Sequence, residues 1–286
     1  MKLRKGMLRW QLADTFHPEI EPNFDLNRQI IWLQNAEVNI PYAQETSSII
    51  NLPKIKRSAL VIDKSMASTQ FYKQLPALKD YKGTIICCDR ALYAIIPHKL
   101  PSYVCNLDSS PICISFFDRP DVKKVMDKIT AVFAVTTNPL TIRHWHGRRV
   151  FFSGPAPNAE ITKGIMQASH TPFITVGGNV ATFAYVLAYN LGANPIGLFG
   201  ITNSYDSPSE SEYPPRYRHL LKKQKGPYGK VFQDSVYKYY NDIILSFIDY
   251  LAKTEKIETV NTTKAGLVYS GTVNDLSLKE FVKTYE

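Results

Sequence analysis

Four stretches of the chain set polar or glycine residues directly after apolar runs, where phosphate or metal chemistry could be built. In Thr175-Val176-Gly177-Gly178-Asn179-Val180-Ala181-Thr182, a glycine pair opens a helix-like run. Such a start leaves backbone N–H groups free and points a positive dipole end at whatever lies ahead of it, which suits an anion or a nucleotide. The run is coupled to Gly192 and to a strand ending Leu198-Phe199-Gly200-Ile201-Thr202-Asn203. Gly177, Gly178, Asn179, Thr182, Gly200, Thr202 and Asn203 are therefore the main nucleotide-binding candidates. The ordinary alternative is a tight turn that glycine alone can adopt.

The other three stretches carry carboxylates. Ile62-Asp63-Lys64-Ser65-Met66-Ala67-Ser68-Thr69 has no glycine for a backbone phosphate cradle. Its Lys64, Ser65, Ser68 and Thr69 could still reach a phosphate through side chains, or simply cap a helix. Cys88-Asp89-Arg90 and Asn106-Leu107-Asp108-Ser109-Ser110 each follow an apolar strand. Asp is also a turn residue, so capping competes with function at both. Converging strand ends could hold Mg²⁺ beside a polyphosphate, with Asp108 as its ligand and a catalytic residue. Asp63, Ser65 and Asp89 join the nucleotide-binding candidates. His144 and His146 sit among Arg143, Arg148 and Arg149, which repel a cation, so they read as a surface pair at a helix end. His219 lies among Arg216, Arg218, Lys222 and Lys223 and is the better acid–base candidate.

These residues need a scaffold. Ser58 to Ile62, Thr84 to Cys88, Ser102 to Leu107, Ala131 to Val135, Arg149 to Phe152, Pro195 to Phe199 and Ile257 to Val260 read as short apolar strands. Helical stretches alternate with them, among them Arg90 to Ile96, Pro120 to Ile129, Val180 to Leu191 and Leu278 to Thr284. Continuous apolar strands alternating with helices predict an α/β fold with a mainly parallel sheet flanked by helices. Asp234 to Lys253 gives the clearest helix, with Val236, Tyr239, Tyr240, Ile243, Ile244, Phe247, Ile248 and Leu251 on one stripe. Residues 1–57 form a helical lead-in that ends in a linker over Asn39 to Pro53, and 58–286 form the main domain. Ser204 to Gly229 is long and rich in Ser, Pro, Tyr and Lys. It follows a strand's carboxyl end and reads as a lid with one short helix.

Composition narrows the setting. The 286 residues are 44% apolar, enough for a large core. No run approaches the ~18 to 20 apolar residues of a membrane helix. The basic start Met1 to Arg9 is followed by Asp14, His17, Pro18 and Glu19 rather than an apolar core, so a cytoplasmic location is expected. The four cysteines make no C-x-x-C pair, and adjacent Cys87 and Cys88 should pack on opposite sheet faces. The net charge of +9 is spread out and lacks a nucleic-acid-binding signature. A phosphorylated small molecule is the favoured partner over nucleic acid, and a homo-oligomer remains open.

The order ALVIDKSMAST, YKGTIICCDRAL, LPSYVCNLDSS, TVGGNVATFAYVLAYNLGANPIGLFGITNSY and IETVNTTKAGLVYSG resembles the 6-hydroxymethylpterin diphosphokinase MptE-like family. The resemblance runs from about Arg57 to Gly271. That family includes archaeal pterin diphosphokinases and motility-associated-factor glycosyltransferase-like proteins, and is related in fold to bacterial sialyltransferases. The resemblance implies a Rossmann-like sheet and a nucleotide-dependent transferase, with a nucleotide or nucleotide-sugar as substrate. Gly177 to Thr182 and Asn261-Thr262-Thr263 look more like the glycosyltransferase-like branch. The alternatives are a Mg²⁺-dependent pterin diphosphokinase and a nucleotide-binding protein without turnover. This chain departs from the family at three ligand-facing places: Asp63 to Thr69 lacks the G-x-G-P-S-L loop, Asn106 replaces the first aspartate of T-D-L-D-G, and Thr202 stands where an acidic residue is usual. It also has Lys230 ahead of the long C-terminal helix, where sialyltransferases have a histidine.

Overall fold

The computed structural model describes residues 26–64, 68–154, 156, 158–210 and 215–285. Ser65, Met66 and Ala67 of the first candidate loop lie outside the described residues. A helix, α1 (Leu26–Gln44), precedes the sheet. Five strands then follow in turn: β1 (Ala59–Ile62), β2 (Thr84–Cys88), β3 (Tyr103–Asn106), β4 (Thr130–Ala134) and β5 (Arg149–Phe152). Between them lie α2 (Ser68–Gln74), α3 (Pro139–His144) and several shorter helical turns. Next come α4 (Ala159–Ser169), α5 (Val180–Leu191) and β6 (Ile196–Phe199). An antiparallel hairpin, β7 (Lys222–Gly226) and β8 (Gly229–Gln233), leads to α6 (Ser235–Thr254). Then β9 (Thr259–Asn261), β10 (Val273–Asp275) and α7 (Leu278–Thr284) close the described fold.

The eight sheet strands run in the order β10-β9-β6-β1-β2-β3-β4-β5, and every pairing is parallel. From β1 the chain steps outward to β5, then returns through α4 and α5 to lay β6 on the other side of β1. Strand order therefore reverses between β1 and β6. In open α/β sheets, loops leave a crevice at such a point, at the carboxyl ends of the strands.

The strands are buried on both faces, which explains their unbroken apolar runs. On one face Val61, Ile86, Cys88, Cys105 and Val132 pack with α5 and the Ile243, Ile244, Phe247, Ile248 and Leu251 stripe of α6. On the other, Leu60, Ile62, Ile85, Cys87 and Val104 pack with Phe71 of α2 and Leu278, Phe281 and Val282 of α7. Cys87 and Cys88 thus do face opposite ways, and all four cysteines are buried and form no disulfide. The predicted stripe of α6 is buried from Ile243 to Leu251, but at its start Val236 is exposed and Tyr239 and Tyr240 are only half-buried. Asn179 caps the start of α5, and left-handed Gly192 ends it at the predicted residue.

In place of the single helix expected over Pro120 to Ile129 there is a short helix, Pro120–Lys123, and a 3₁₀ turn, Met126–Lys128. Two larger regions also depart from the expected elements. Helix α1 continues through Pro41 to Gln44 instead of yielding to a linker at Asn39. An internal proline removes one helix hydrogen bond, but α1 is held by long-range contacts. Asn39 Nδ2 donates to the Val135 and Thr137 carbonyls at 2.8 and 2.7 Å. Asn35 Nδ2 donates to the Ser109 and Thr136 carbonyls at 3.2 and 3.1 Å. The second departure is the segment after β6. Instead of one short helix it contains two 3₁₀ turns, Pro208–Glu210 and Pro215–Leu220, and the β7–β8 hairpin. Buried Leu221 and Val231 anchor the hairpin, and Gly226 packs beside the Gly266 carbonyl and Leu267. No helix among the described residues is long and apolar enough to cross a membrane.

Candidate functional site

Helix α5 runs back across β1, β2 and β3 before β6 begins, so its amino terminus lies at the carboxyl edge of the sheet. Gly177 and Gly178 take φ values of 54° and 83°, in the left-handed region that favours glycine. A Cβ on Gly177 would lie 2.4 Å from Thr182 Cγ2 and 2.8 Å from Ile243 Cγ2. One on Gly178 would lie 2.7 Å from Tyr240 Cε1. The turn must therefore pass close to α5 on one side and α6 on the other. Asn179 Oδ1 accepts from the Thr182 N–H at 2.8 Å, so this side chain caps the helix. Thr182 is fully buried, and its hydroxyl has no hydrogen-bond partner among the described residues.

The end of β6 lies against the end of β1. The Asp63 N–H donates to the Phe199 carbonyl at 3.0 Å, continuing the ladder past the strands. Gly200, at φ 75°, leaves no room for a side chain, because a Cβ would sit 2.0 Å from the Asp63 carbonyl oxygen. Its N–H donates to Thr263 Oγ1 at 3.0 Å. Thr202 is buried under Gly266 and donates its hydroxyl to the Ser204 carbonyl at 3.1 Å. Asn203 donates to Asn241 Oδ1 at 3.3 Å and accepts from Gln233 Nε2 at its carbonyl. Gly200, Thr202 and Asn203 thus form a hydrogen-bonded floor joining β6, β9 and α6.

Across β1 the chemistry is ionic. Asp63 is buried, with Arg90 Nε 4.0 Å from its Oδ1. Asp89 accepts from the Arg90 N–H and from Asn106 Nδ2, both at 2.6 Å. Cys113 Sγ approaches the same carboxylate at 3.7 Å. Burial, with the Asp63 charge adding to it, outweighs these hydrogen bonds and pushes the Asp89 carboxyl up to about 6. Asn106 Oδ1 is buried without a hydrogen-bond partner. Asn106 on β3 is thus the side-chain donor that holds Asp89.

The sequence reading did not single out a further cluster. Lys64 Nζ donates to Tyr93 Oη at 2.5 Å and lies 5.2 Å from the Tyr72 ring centre. Arg119 stacks over Tyr93 at 4.6 Å. Burial acts to raise the Tyr93 phenol, but Lys64, Tyr72 and Arg119 outweigh it and hold the phenol below the usual tyrosine range. The available signal was weak. Tyr93 stands three residues beyond Arg90, on the turn after β2.

The remaining candidates sit apart. Asp108 is exposed, and its Oδ1 accepts from the Ser110 N–H at 2.8 Å in a tight turn. Among the described residues no three His, Cys, Asp or Glu side chains gather as metal ligands. His219 is exposed on the second 3₁₀ turn. His144, the last residue of α3, engages the Leu140 carbonyl at 2.9 Å and lies 3.9 Å from Asp118.

Comparison with known proteins supports the sequence resemblance. Residues 70–207 match the model of a family described as 6-hydroxymethylpterin diphosphokinase MptE-like. No curated protein matches the chain. Among solved structures, that of the MAf glycosyltransferase from Magnetospirillum magneticum AMB-1 superposes with a TM-score of 0.61 at 14% identity. The overlap covers 87% of this chain but only 39% of that one, so the chain spans well under half the length of its structural neighbour. Residues 70–207 of this chain are thus similar to the MptE-like family, and the chain shares its fold with the glycosyltransferase structure.

Proposed function

We propose that this chain is a nucleotide-dependent transferase that takes its nucleotide at the reversal between β1 and β6, and that its donor is a nucleotide-activated sugar. The observation that carries this reading is the left-handed Gly177-Gly178 turn, which sets the amino terminus of α5 at the carboxyl edge of the sheet. Free N–H groups and the helix dipole there favour a phosphate. The family match supports the transferase class, and the structural neighbour's name supports the glycosyltransferase-like branch.

In this reading Asp63, Asp89 and the Gly200 to Asn203 floor shape the pocket. Lys64 and Arg90 supply side-chain charge where the family's first loop would supply backbone N–H groups. The hairpin carries exposed Lys222, Lys223, Lys225 and Lys230, and its closure would neutralise a leaving phosphate and exclude water. His219 is the acid–base candidate on that segment, and the reaction takes place in the cytosol. A pterin diphosphokinase remains the second reading, favoured by the family's description. It would need Asp108 to share a Mg²⁺ with the substrate's phosphates.

Thermal unfolding with CMP, UDP, GDP, ATP and AMP, each with and without Mg²⁺, tests the proposal. A nucleotide at 100 times its dissociation constant should add about 2.7 kcal/mol of stability. Stabilisation without metal by a nucleotide common in sugar donors supports the leading reading. Stabilisation by ATP only with Mg²⁺ supports the diphosphokinase. No stabilisation by any of them rejects a nucleotide site.

A further inference from the structure

We propose that Tyr237 and Tyr240, on the first turns of α6, form the surface on which the planar base of the nucleotide stacks. This inference rests on the nucleotide reading above and adds a contact that the glycine turn cannot supply. The anion-attracting start of α5 and an aromatic cluster are neighbours: a Cβ on Gly178 would lie 2.7 Å from Tyr240 Cε1 and 3.1 Å from Tyr239 Cε1. Gly178 itself is exposed. A ligand reaching this turn therefore lies beside the tyrosine rings.

The rings form a connected series. Tyr205 stacks on Tyr237 with centres 4.8 Å apart and planes 23° from parallel. Tyr237 lies 6.3 Å from Tyr240, and Tyr240 lies 6.0 Å from Tyr239. Tyr239 leans on the hydrophobic core, while Tyr205, Tyr237 and Tyr240 are each half-buried. Asp234 fixes the geometry from below. Its Oδ1 accepts from the Tyr237 N–H at 2.6 Å, and its Oδ2 accepts from Tyr205 Oη at 3.4 Å. The series is thus braced before any ligand arrives, so little ordering is needed on binding.

A helix start that attracts anions beside half-buried aromatic faces matches the two ends of a nucleotide, one charged and one planar. Base–aromatic stacking depends little on which base is present, because every base has a π-face. The platform should therefore add affinity for the ring without choosing among bases.

Calorimetric titration separates this proposal from the one beneath it. The ligands are pyrophosphate and whichever nucleotide stabilises the unmodified protein. Tyr240→Ala should weaken the nucleotide roughly 10- to 100-fold and leave pyrophosphate unchanged, while Tyr240→Phe should keep both. Tyr240→Leu retains apolar bulk without a ring and serves if the alanine variant unfolds; it should also lose nucleotide affinity selectively. Equal nucleotide affinity in a folded variant overturns the platform and leaves the site at α5 standing. Equal loss of nucleotide and pyrophosphate also overturns it, since the rings would then only shape the turn. If the unmodified protein binds no nucleotide, the functional reading and the platform fall together.

Discussion

The two sides of β1 solve the same problem in different ways. On the β6 side the chain is held by backbone and neutral groups: Gly200 against the Asp63 carbonyl, Thr263 on the Gly200 N–H, and Asn203 against Asn241. On the β2 side the contacts are charged or ionisable: Arg90 with Asp63, Asn106 on Asp89, and Lys64 on Tyr93. Close approach of backbone to backbone requires glycine, and glycine is what the β6 side has. The loop after β1, which has no glycine, is instead flanked by long cationic side chains. The two sides of a switch point can be built in different ways, because each comes from a separate part of the chain.

The glycine side should be the more brittle. Gly200→Ala places a methyl 2.0 Å from a backbone oxygen at φ 75°, which combines left-handed strain with overpacking. A loss of about 4 kcal/mol is expected in urea unfolding. Gly178→Ala meets the edge of a tyrosine ring rather than backbone, and should cost only about 1–2 kcal/mol. Similar losses at the two glycines would mean that the β6 floor yields as readily as the exposed turn.

The charged side should show itself in pH dependence. The Asp89 carboxyl is raised from 3.8 to about 6 by burial. The unfolded chain therefore releases this proton first as pH rises, and the folded state is disfavoured between those two values. Stability from this group is fully present below pH 3.8, falls as pH rises to about 6 and is level above it. Asp89→Asn removes that slope, so its stability relative to the unmodified protein should improve by about 2–3 kcal/mol between pH 4 and pH 7. Parallel pH profiles for the two proteins would remove Asp89 from the account.

Much of the scaffold was legible because its signals are local. Continuous apolar runs marked the buried parallel strands, the apolar stripe marked α6, and Asn179 and Gly192 bounded α5. The β7–β8 hairpin was not legible, since Lys222 to Gly226 is almost wholly polar and gives no strand pattern. Helix α4 also passed unassigned, with only Ile165 and Ser169 buried within it. The candidate site divides in the same way. Gly177 and Gly178 announce themselves by residue type. The clamps of Asn35 and Asn39 join positions about a hundred residues apart, and the tyrosines of α6 read simply as core. Only the folded sheet shows that Tyr240 borders the glycine turn.

The Lys64–Tyr93 pair offers the finest test of the charged side. Lys64 leaves the end of β1 and Tyr93 stands on the turn after β2, so their contact spans two neighbouring strand ends. Burial alone would raise a phenol, because it penalises the phenolate; here the cations reverse that direction. Lys64→Met keeps the length and apolar stem of the side chain but removes the charge and the hydrogen-bond donor. Arg119 stays over the ring at 4.6 Å, so the reversal should be partial. In an NMR titration with ring-labelled tyrosine, Tyr93 in the unmodified protein should ionise below the other tyrosines, and in the variant it should move up towards them. The fold should change little, since Lys64 is only partly buried. If Tyr93 titrates at the same pH in both proteins, Lys64 does not govern it, and the charge on this side of β1 must be assigned to Arg90 and Arg119 instead.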